Sequence, residues 1–539
     1  MNYIYKNKNF SIIILIVPFL IGIAIYKDFG ISIDEESTRY HGLVSLNYLI
    51  EFFNFNFETT TNIKKLESYE YREYGVFFEI IPAILEKVFN INNYQEIFYF
   101  RHLYVHIIFL VSVVFFYNII KNLFDNIYFA LIGSAILYTT PRIFAHSFFN
   151  SKDIIFLSMF IISLYCLFRF FNKKFLLNTI FLGLSLALLT SVRSIGFYFF
   201  IIILLFMFAE LLDKKVKLKN TAKLIIYLLI SYFLFLYLFW PFLWEKPIEN
   251  FLYALNSFSD YSWGGQVFYF GKFYEVNSLP WHYIPVWILG TLSIPFSILI
   301  VISVIFIIIR STKRVVNSDK IKATTFFWNS KLEFFLLFNL LLIISPIILI
   351  ILKNSTLYNG WRHLFFILPS MLILCLGLIH YTKIIVRKNK FLIICLNLLL
   401  IIIFLNNFTN LIKLHPYQNI YFNYFLERIA KKNFDVDYWG LSNKNALEKI
   451  SFKSSTNVKV AVLGLANLEM SRKMLDKSER DKIIIVGENF EIADYIVSNS
   501  YFISDPRTTE RYKKPESFIL DEEITKGKIV INKIFKKAQ

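Results

Sequence analysis

Long apolar runs separated by short polar connections dominate this chain. Stretches such as 11–24 and 391–405 contain no charged residue, and they approach the roughly 20 apolar residues that a helix needs to cross a bilayer. The pattern predicts eleven membrane-spanning helices, near residues 10–27, 98–120, 127–145, 153–171, 175–191, 195–212, 223–243, 283–309, 332–352, 363–381 and 391–408. The expected fold class is therefore an α-helical polytopic membrane protein with about 11 transmembrane helices.

The hydrophobic pattern changes after about residue 410. Short apolar stretches follow at 458–463, 482–486, 493–497 and 528–531, and helix-like segments such as 444–450 separate them. Short apolar runs of this kind are typical of strands. We therefore expect two domains, a transmembrane domain over residues 1–410 and a small C-terminal α/β domain over residues 411–539, an ordinary size for a domain.

Basic residues define the expected orientation of the helices. If the N-terminus is cytoplasmic, every short connection rich in Lys and Arg falls on the cytoplasmic side, as the positive-inside rule requires. These connections contain Arg169, Lys173, Lys174, Lys214, Lys215, Lys217, Lys219, Arg310, Lys313, Arg314, Lys320, Lys322, Lys383, Arg387, Lys388 and Lys390. An odd number of spans then sends the C-terminal domain to the extracytoplasmic side of an inner (plasma) membrane.

Composition agrees with this placement and argues against both a soluble protein and a nucleic-acid-binding protein. Hydrophobic residues make up 56% of the 539 residues and charged residues only 18%, too little polar cover for an ordinary soluble domain. The formal net charge of +18 would fit nucleic-acid binding if it formed a phosphate-tracking face. Because the cations lie in membrane loops, no nucleic-acid partner is expected.

The polar residues that could carry chemistry gather on the predicted outer side. The first outer loop, residues 28–97, begins with three consecutive acids, and further cations and imidazoles follow in four short connections. Alternatively, these acids could have a purely structural role at the start of a helix, with Asp34 as N-cap. The aromatic loop 244–282, with Trp263 and Trp281, could stack on a sugar or cover a site, although interfacial belts also collect such residues.

Sugar transfer is one reaction that an outer site of this kind could perform. Nucleotide sugars are not available outside the cytoplasm, so a polyprenyl-phosphate sugar would be the donor. The reaction needs a carboxylate to take a proton from the acceptor and cations to hold the departing phosphate. A phosphate monoester is a good leaving group, with a second pKa of about 6, so a strong general acid is unnecessary.

The arrangement resembles the GT-C superfamily of integral-membrane glycosyltransferases, within it the bacterial glycosyltransferase family 39 or ArnT/PMT-like proteins. The resemblance covers residues from about 30 to 442. It is found in five segments, Asp34-Glu35-Glu36, the connection from Pro141 to Asp153, Tyr358-Asn359-Gly360-Trp361-Arg362-His363, His415-Pro416-Tyr417-Gln418 with Tyr421-Phe422-Asn423, and Asp437-Tyr438-Trp439-Gly440.

The resemblance implies an inverting transfer in which Asp34 is the base. Glu35 or Glu36 would assist acceptor or metal binding, and which of the three acids is the base stays open. The candidates for phosphate or sugar contacts are Arg142, His146, Lys152, Arg193, Arg362 and His363. No closed metal-ligand spacing is visible, so a divalent metal stays open. The implied partners are a lipid-linked donor, a glycolipid, polysaccharide or protein acceptor, and the bilayer.

Three rival functions follow from the same topology. A transporter or flippase would place ionisable groups near the middle of the membrane, whereas most predicted spans are uncharged there. A polymerase or ligase would share the outer site but use a pyrophosphate-linked donor. A noncatalytic scaffold would use its C-terminal domain to bind partners.

Overall fold

Helices form most of the protein in this computed structural model. The structure describes residues 8–211, 218–259, 265–316, 328, 330–464, 467–499 and 513–538. Of the residues named above, Lys214, Lys215, Lys217, Trp263, Lys320 and Lys322 lie outside the described residues.

The membrane part consists of sixteen helices and one hairpin among the described residues, interrupted by three short 3₁₀ turns. They are α1 (Lys8–Ile25), α2 (Glu35–Phe53), the turn Leu66–Ser68, α3 (Phe77–Val88), α4 (Tyr94–Phe124), α5 (Ile127–Thr139), α6 (Pro141–Phe149), α7 (Asp153–Asn172), α8 (Leu176–Val192), α9 (Gly196–Leu211), α10 (Leu218–Phe239), the turn Pro241–Leu243, α11 (Pro247–Ser259), β1 (Gln266–Tyr269), β2 (Lys272–Glu275), α12 (Tyr283–Gly290), α13 (Ile294–Val316), α14 (Lys331–Lys353), the turn Arg362–Ile367, α15 (Leu368–Ile385) and α16 (Lys390–Leu414).

Each of the eleven predicted runs coincides with an apolar helix or a bent helix pair, but the number of spans is not confirmed. Seven helices in the described part of the chain are long and apolar enough to cross a membrane, or eight if α5 and α6 form one broken span. Several of the others are shorter, such as α8 with 17 residues. A multi-pass membrane protein is nevertheless the clear result.

The bend between α5 and α6 places a polar helix at one end of the bundle. The two helices meet at 64°, and the break lies where Thr140 is extended ahead of Pro141. Proline disfavours helical conformation in the residue before it but fits the first position of a new helix. All nine residues of α6 are buried, so its Arg142 and His146 lie inside the protein.

The C-terminal part contains a five-stranded mixed sheet, as the short apolar stretches predict. Its elements are the turn Gln418–Ile420, α17 (Tyr424–Glu427), α18 (Ala430–Asn433), α19 (Ser442–Lys453), β3 (Val458–Val462), α20 (Leu468–Lys473), α21 (Lys477–Arg480), β4 (Ile483–Ile485), β5 (Tyr495–Ser498), β6 (Phe518–Lys526) and β7 (Ile529–Lys537). The strand order is β4-β3-β5-β7-β6. The three strands β4, β3 and β5 are parallel, and β7 joins β5 and β6 in antiparallel pairs.

This C-terminal part packs directly on the first outer loop. Met470 within α20 and Met474 directly after it share a buried cluster with Ile31, Ile97 and Phe98. A Cβ added at Gly30 would lie 2.4 Å from the backbone oxygen of Leu441. The segment that precedes Asp34 is thus fixed between α4 and the C-terminal part.

Candidate active site

The three consecutive acids at the start of α2 point to three different environments. Asp34 occupies the N-cap position but makes no capping hydrogen bond with its side chain. Its carboxylate is 41% exposed and lies 3.4 Å from Nη1 of Arg362. Successive residues at a helix start project about 100° apart, so only one of the three acids can face this guanidinium.

Glu35 instead stabilises the start of α2. One carboxylate oxygen accepts a hydrogen bond from the backbone N–H of Ser32 at 2.6 Å, and the other lies 2.8 Å from Nε2 of His102 on α4. The side chain is almost fully buried. These contacts tie the first turn of α2 to the preceding segment and to α4.

Glu36 faces the C-terminal part of the chain. It accepts a 2.5 Å hydrogen bond from the hydroxyl of Tyr94, and Nζ of Lys473 lies 3.8 Å away. Glu36 is therefore held toward α20, on the other side of α2 from Arg362.

Asp153 is the centre of the charged cluster, although it is not among the site residues that the sequence predicts. Its buried carboxylate forms an ion pair with Arg193 and lies 3.3 Å from Nη1 of Arg362. It also accepts a 2.8 Å hydrogen bond from Nδ2 of Asn150. We name the Asp34 cluster by its members Asp34, Lys152, Asp153, Arg193 and Arg362.

Arg362 is fixed by aromatic rings as well as by carboxylates. Its guanidinium carbon lies 4.8 Å from the ring centres of both Tyr358 and Trp439, and its side chain is 4% exposed. Cation–π contacts of this kind are strongest where water is excluded. The position of Trp439 was among the segments that carried the family resemblance, but its contact with Arg362 is visible only in the structure.

Lys152 supplies a third cation at the same end of the bundle. Its ammonium lies 4.0 Å from the ring centre of Tyr74. Burial lowers the pKa of Lys152 to about 8, opposed by the nearby carboxylate of Asp34 and assisted by Arg193. With Arg193 and Arg362 it makes three cations against the two carboxylates of Asp34 and Asp153, so the Asp34 cluster has an excess of positive charge.

The two predicted histidines border this cluster. Nδ1 of His146 lies 2.9 Å from Nδ2 of Asn150, which links α6 to Asp153, and its ring packs edge-on against Trp439. His363 follows Arg362 and packs against the ring of Tyr358. The structure thus brings both imidazoles next to the Asp34 cluster.

Arg142 lies in a different environment from the other predicted cations. Its guanidinium lies beside the adjacent rings of Trp287 and Phe422, 5.1 and 4.9 Å from their centres. Its Nε donates a 3.0 Å hydrogen bond to the backbone oxygen of Tyr421. These contacts fix the chain after α16 against α12, which is a structural task.

Several donors around the cluster lack partners. Within the described residues, Nε of Arg193, Nε of Arg362, Nε2 of His146 and Nδ1 of His363 are buried without a hydrogen-bond partner. Buried polar atoms normally have one, and a cluster of exceptions needs an explanation. Unpaired N–H groups beside surplus positive charge suit an anionic ligand. Among the same residues, no group of three His, Cys, Asp or Glu side chains is placed to hold a metal ion.

The fold and the site together define a class, an integral-membrane protein with a charged cluster at one end of its helices in which cations outnumber carboxylates. Residues 83–244 match the family described as dolichyl-phosphate-mannose-protein mannosyltransferase. This confirms the resemblance to the GT-C superfamily of membrane glycosyltransferases. The matched region contains Arg142, His146, Lys152 and Arg193 but ends before Arg362 and begins after Asp34.

Solved structures of two membrane transferases are similar to the chain. ArnT from Cupriavidus metallidurans in the apo state is 10% identical with 98% of both chains covered and a TM-score of 0.47, and its form bound to undecaprenyl phosphate gives 9%, 98% of both chains and 0.44. Archaeal oligosaccharyltransferase AglB from Archaeoglobus fulgidus, in complex with an inhibitory peptide and a dolichol-phosphate, is 11% identical over 91% of this chain and 69% of that chain, with a TM-score of 0.45. TM-scores below 0.5 do not establish a common fold. No curated protein matches the sequence.

Proposed function

We propose that this protein transfers a sugar, with inversion, from a polyprenyl-phosphate donor to an acceptor hydroxyl or amine, and that Asp34 is the general base. The observation that carries the proposal is the position of Asp34, a partly exposed carboxylate at the edge of a buried cluster with surplus positive charge. The donor class follows the family that residues 83–244 match, which is described by its dolichyl-phosphate sugar.

In the proposed transfer, one residue of the Asp34 cluster takes the acceptor proton and the cations stabilise the leaving group. The acceptor proton passes to the Asp34 carboxylate while the acceptor atom bonds to the anomeric carbon. The bond between that carbon and the phosphate oxygen breaks, and the electron pair leaves on the polyprenyl phosphate. Arg193, Arg362 and Lys152 would stabilise the growing negative charge of this leaving group.

The remaining side chains position these groups. Asp153 holds both guanidinium groups through one buried carboxylate. Glu35, with His102, fixes the first turn of α2 and so the direction of Asp34. His146 and His363, each with a free ring nitrogen among the described residues, are candidates for contacts with the sugar or the phosphate.

The most direct test replaces Asp34 with Asn and follows the glycans. Cells that carry Asp34→Asn should lose the surface glycolipid or glycoprotein product by about 100-fold or more, because a general base contributes at least that much. Glu70→Gln is the matched control, since Glu70 is an exposed acid of the same outer loop. Normal product from Asp34→Asn at equal protein level would disprove the assignment.

The donor class can be tested without knowing the sugar. Undecaprenyl phosphate corresponds to the leaving group, so its binding to the purified protein can be measured by native mass spectrometry. Arg362→Gln should weaken this binding by about tenfold or more, because a buried charged contact to phosphate is lost. Equal binding by the variant and the unaltered protein would exclude this site for a lipid phosphate.

A further inference from the structure

A polar cavity lies between α13 and α14, far from the Asp34 cluster. It has a volume of about 410 Å³, within the size range of small-molecule sites. Its charged lining consists of Arg310, Lys313, Arg314 and Glu333, and its apolar lining includes Phe306 and Leu336.

Helix α7 shows that this cavity is at the opposite end of the bundle. The helix begins at Asp153 in the Asp34 cluster and ends at Asn172, whose side-chain oxygen accepts a 2.6 Å hydrogen bond from Lys331. Its 20 residues span about 30 Å at a rise of about 1.5 Å per residue. Glu333 is two residues beyond Lys331, so the cavity opens at the other membrane surface and has no part in the proposed transfer.

Two arginines of this cavity are held in place by one acid. Glu333 accepts hydrogen bonds from Nη2 of Arg310 at 2.9 Å and from Nη1 of Arg314 at 2.7 Å. Arg310 also lies 4.0 Å above the ring centre of Tyr381. These contacts fix the guanidinium groups before any ligand arrives, which reduces the entropy lost on binding.

The cavity is basic, and one of its arginines has unpaired donors. Three cations and one carboxylate line it, and the two arginines share that carboxylate. Nε and Nη2 of Arg314 are buried and have no hydrogen-bond partner in the part of the chain that the structure describes. Buried, fixed guanidinium N–H groups suit the oxygens of a phosphate.

An apolar stripe leads away from these cations along α13. Ile298, Ile302, Ile305 and Ile309 are 55%, 50%, 52% and 47% exposed, and their spacing of three or four residues puts them on one helix face. In a membrane this face contacts acyl chains. A phosphate at the cavity would therefore have its own hydrocarbon tails beside the stripe.

We propose that this cavity binds the head group of an anionic phospholipid, with the phosphate between Arg310, Lys313 and Arg314 and the acyl chains along the isoleucine stripe. Free phosphate would satisfy the cations but would not use the stripe. Basic pockets between transmembrane helices are a known way to recognise anionic head groups. The binding is independent of the sugar transfer proposed above.

The test is lipid binding to the purified full-length protein, measured by native mass spectrometry. Phosphatidylglycerol should bind more tightly than phosphatidylcholine. Arg310→Gln/Arg314→Gln should weaken the phosphatidylglycerol binding by about tenfold or more, because two cations that attract the anionic head group are removed. The control Arg387→Gln/Lys388→Gln removes two exposed cations from another connection and should leave the binding unchanged.

Further measurements distinguish lipid binding at this cavity from simple phosphate binding and from misfolding of a variant. Lys313→Glu is a second pocket variant, for the case that the double variant folds poorly. It changes neither arginine that pairs with Glu333, and it should also weaken phosphatidylglycerol binding. A competing excess of inorganic phosphate should not displace the lipid, and displacement would mean a simple anion site. Equal binding of the two lipids, or unchanged binding in both pocket variants, would overturn the proposal. Arg362→Gln should retain phosphatidylglycerol binding, whether or not it retains undecaprenyl phosphate.

Discussion

Arg362 connects the two carboxylates of the cluster, one exposed and one buried. Its Nη1 lies 3.4 Å from the Asp34 carboxylate and 3.3 Å from the Asp153 carboxylate. A guanidinium NH₂ group has two hydrogens that can be donated to different acceptors, so this one nitrogen links the two acids. The residue therefore holds the proposed base within reach of the leaving-group site.

Lys152 gives the clearest pH prediction. Its pKa is lowered to about 8 by burial, so the ammonium is charged below that pH and neutral above it. Binding of undecaprenyl phosphate should weaken as the pH rises through about 8. Lys152→Arg should remove this dependence, because arginine stays protonated. Binding measured by native mass spectrometry across this range checks the expectation, and an identical pH profile for both proteins would contradict it.

Asp153→Asn should lower the thermal stability of the protein and increase the stabilisation that a bound lipid phosphate provides. The change leaves Arg193 and Arg362 buried without their shared carboxylate, and breaking a buried pair costs about 3 kcal/mol. A lipid phosphate can supply the missing negative charge. Added undecaprenyl phosphate should therefore raise the midpoint of thermal unfolding more for the variant than for the unaltered protein.

The control for this prediction is Asp28→Asn, since Asp28 is an exposed acid paired with His415. Its unfolding midpoint should change little. If Asp153→Asn unfolded at the normal temperature, or gained no more from the lipid than the control, Asp153 would not hold the two arginines as proposed.

Residue types and positions were predictable to different degrees. Lys152, Arg193 and Arg362 stand out in the sequence as cations in short connections on one predicted side, and the structure brings them together. Asp153 is not distinguishable from an ordinary acid at a helix start, because its partners are 40 and 209 residues away. The three acids at 34–36 could not be ranked without the direction in which each side chain leaves the helix start.

At the scale of elements, close backbone packing positions the loop that carries Tyr74. A Cβ at Gly75 would lie 1.3 Å from the backbone oxygen of Ser191, two residues before Arg193. The loop between α2 and α3 therefore rests directly on the end of α8. The bend at Pro141 has a similar effect on α6, since it turns the helix that carries His146 into the bundle.

Gly75→Ala should disrupt the site without changing any charged residue. The added methyl group cannot fit against the end of α8, so the loop must move and carry Tyr74 away from Lys152. We expect a large loss of glycan product and faster proteolytic cleavage of the loop 54–76. Gly133→Ala is the control, because its nearest neighbour is the flexible end of the Leu376 side chain at 3.1 Å. Equal activity of the two variants would show that the loop tolerates displacement.

At the scale of the whole molecule, the C-terminal part forms a wall of the site as well as a separate sheet. Trp439 lies against Arg362 and His146. Asn532 of β7 donates hydrogen bonds to Ser442 and Asn443, which ties the sheet to the segment after Trp439. The sheet thus stabilises one side of the Asp34 cluster from outside the membrane part.

Met474→Asp should test this support. Met474 is fully buried in the cluster with Ile31 and Ile97, so a charge there should loosen the C-terminal part, lower the glycan product and expose the sheet to protease. Ile484→Asp is the control, because Ile484 is already exposed on β4. Protease resistance and product equal to those of the control would contradict the supporting role.

The overall architecture was predictable where hydrophobicity alone decides it. Each of the eleven apolar runs contains a helix, and the four apolar stretches at the C-terminus each overlap a strand. Strand β6 was not predicted, because its sequence from Phe518 to Lys526 contains four charged residues in nine and it lies at the sheet edge, where one side faces water. The number of spans was not predictable either, since helices of 13–17 residues give the same apolar signal as longer ones.

The pairing of Asp34 with Arg362 joins residues 328 positions apart, and this separation has a consequence for biosynthesis. The ribosome must add these 328 residues after Asp34 before the guanidinium can emerge, and the Trp439 contact requires still more. An unfinished or prematurely terminated chain inserted in the membrane would present the carboxylate without its guanidinium. Nascent and truncated products should accordingly be unable to waste lipid-linked sugar by hydrolysing it.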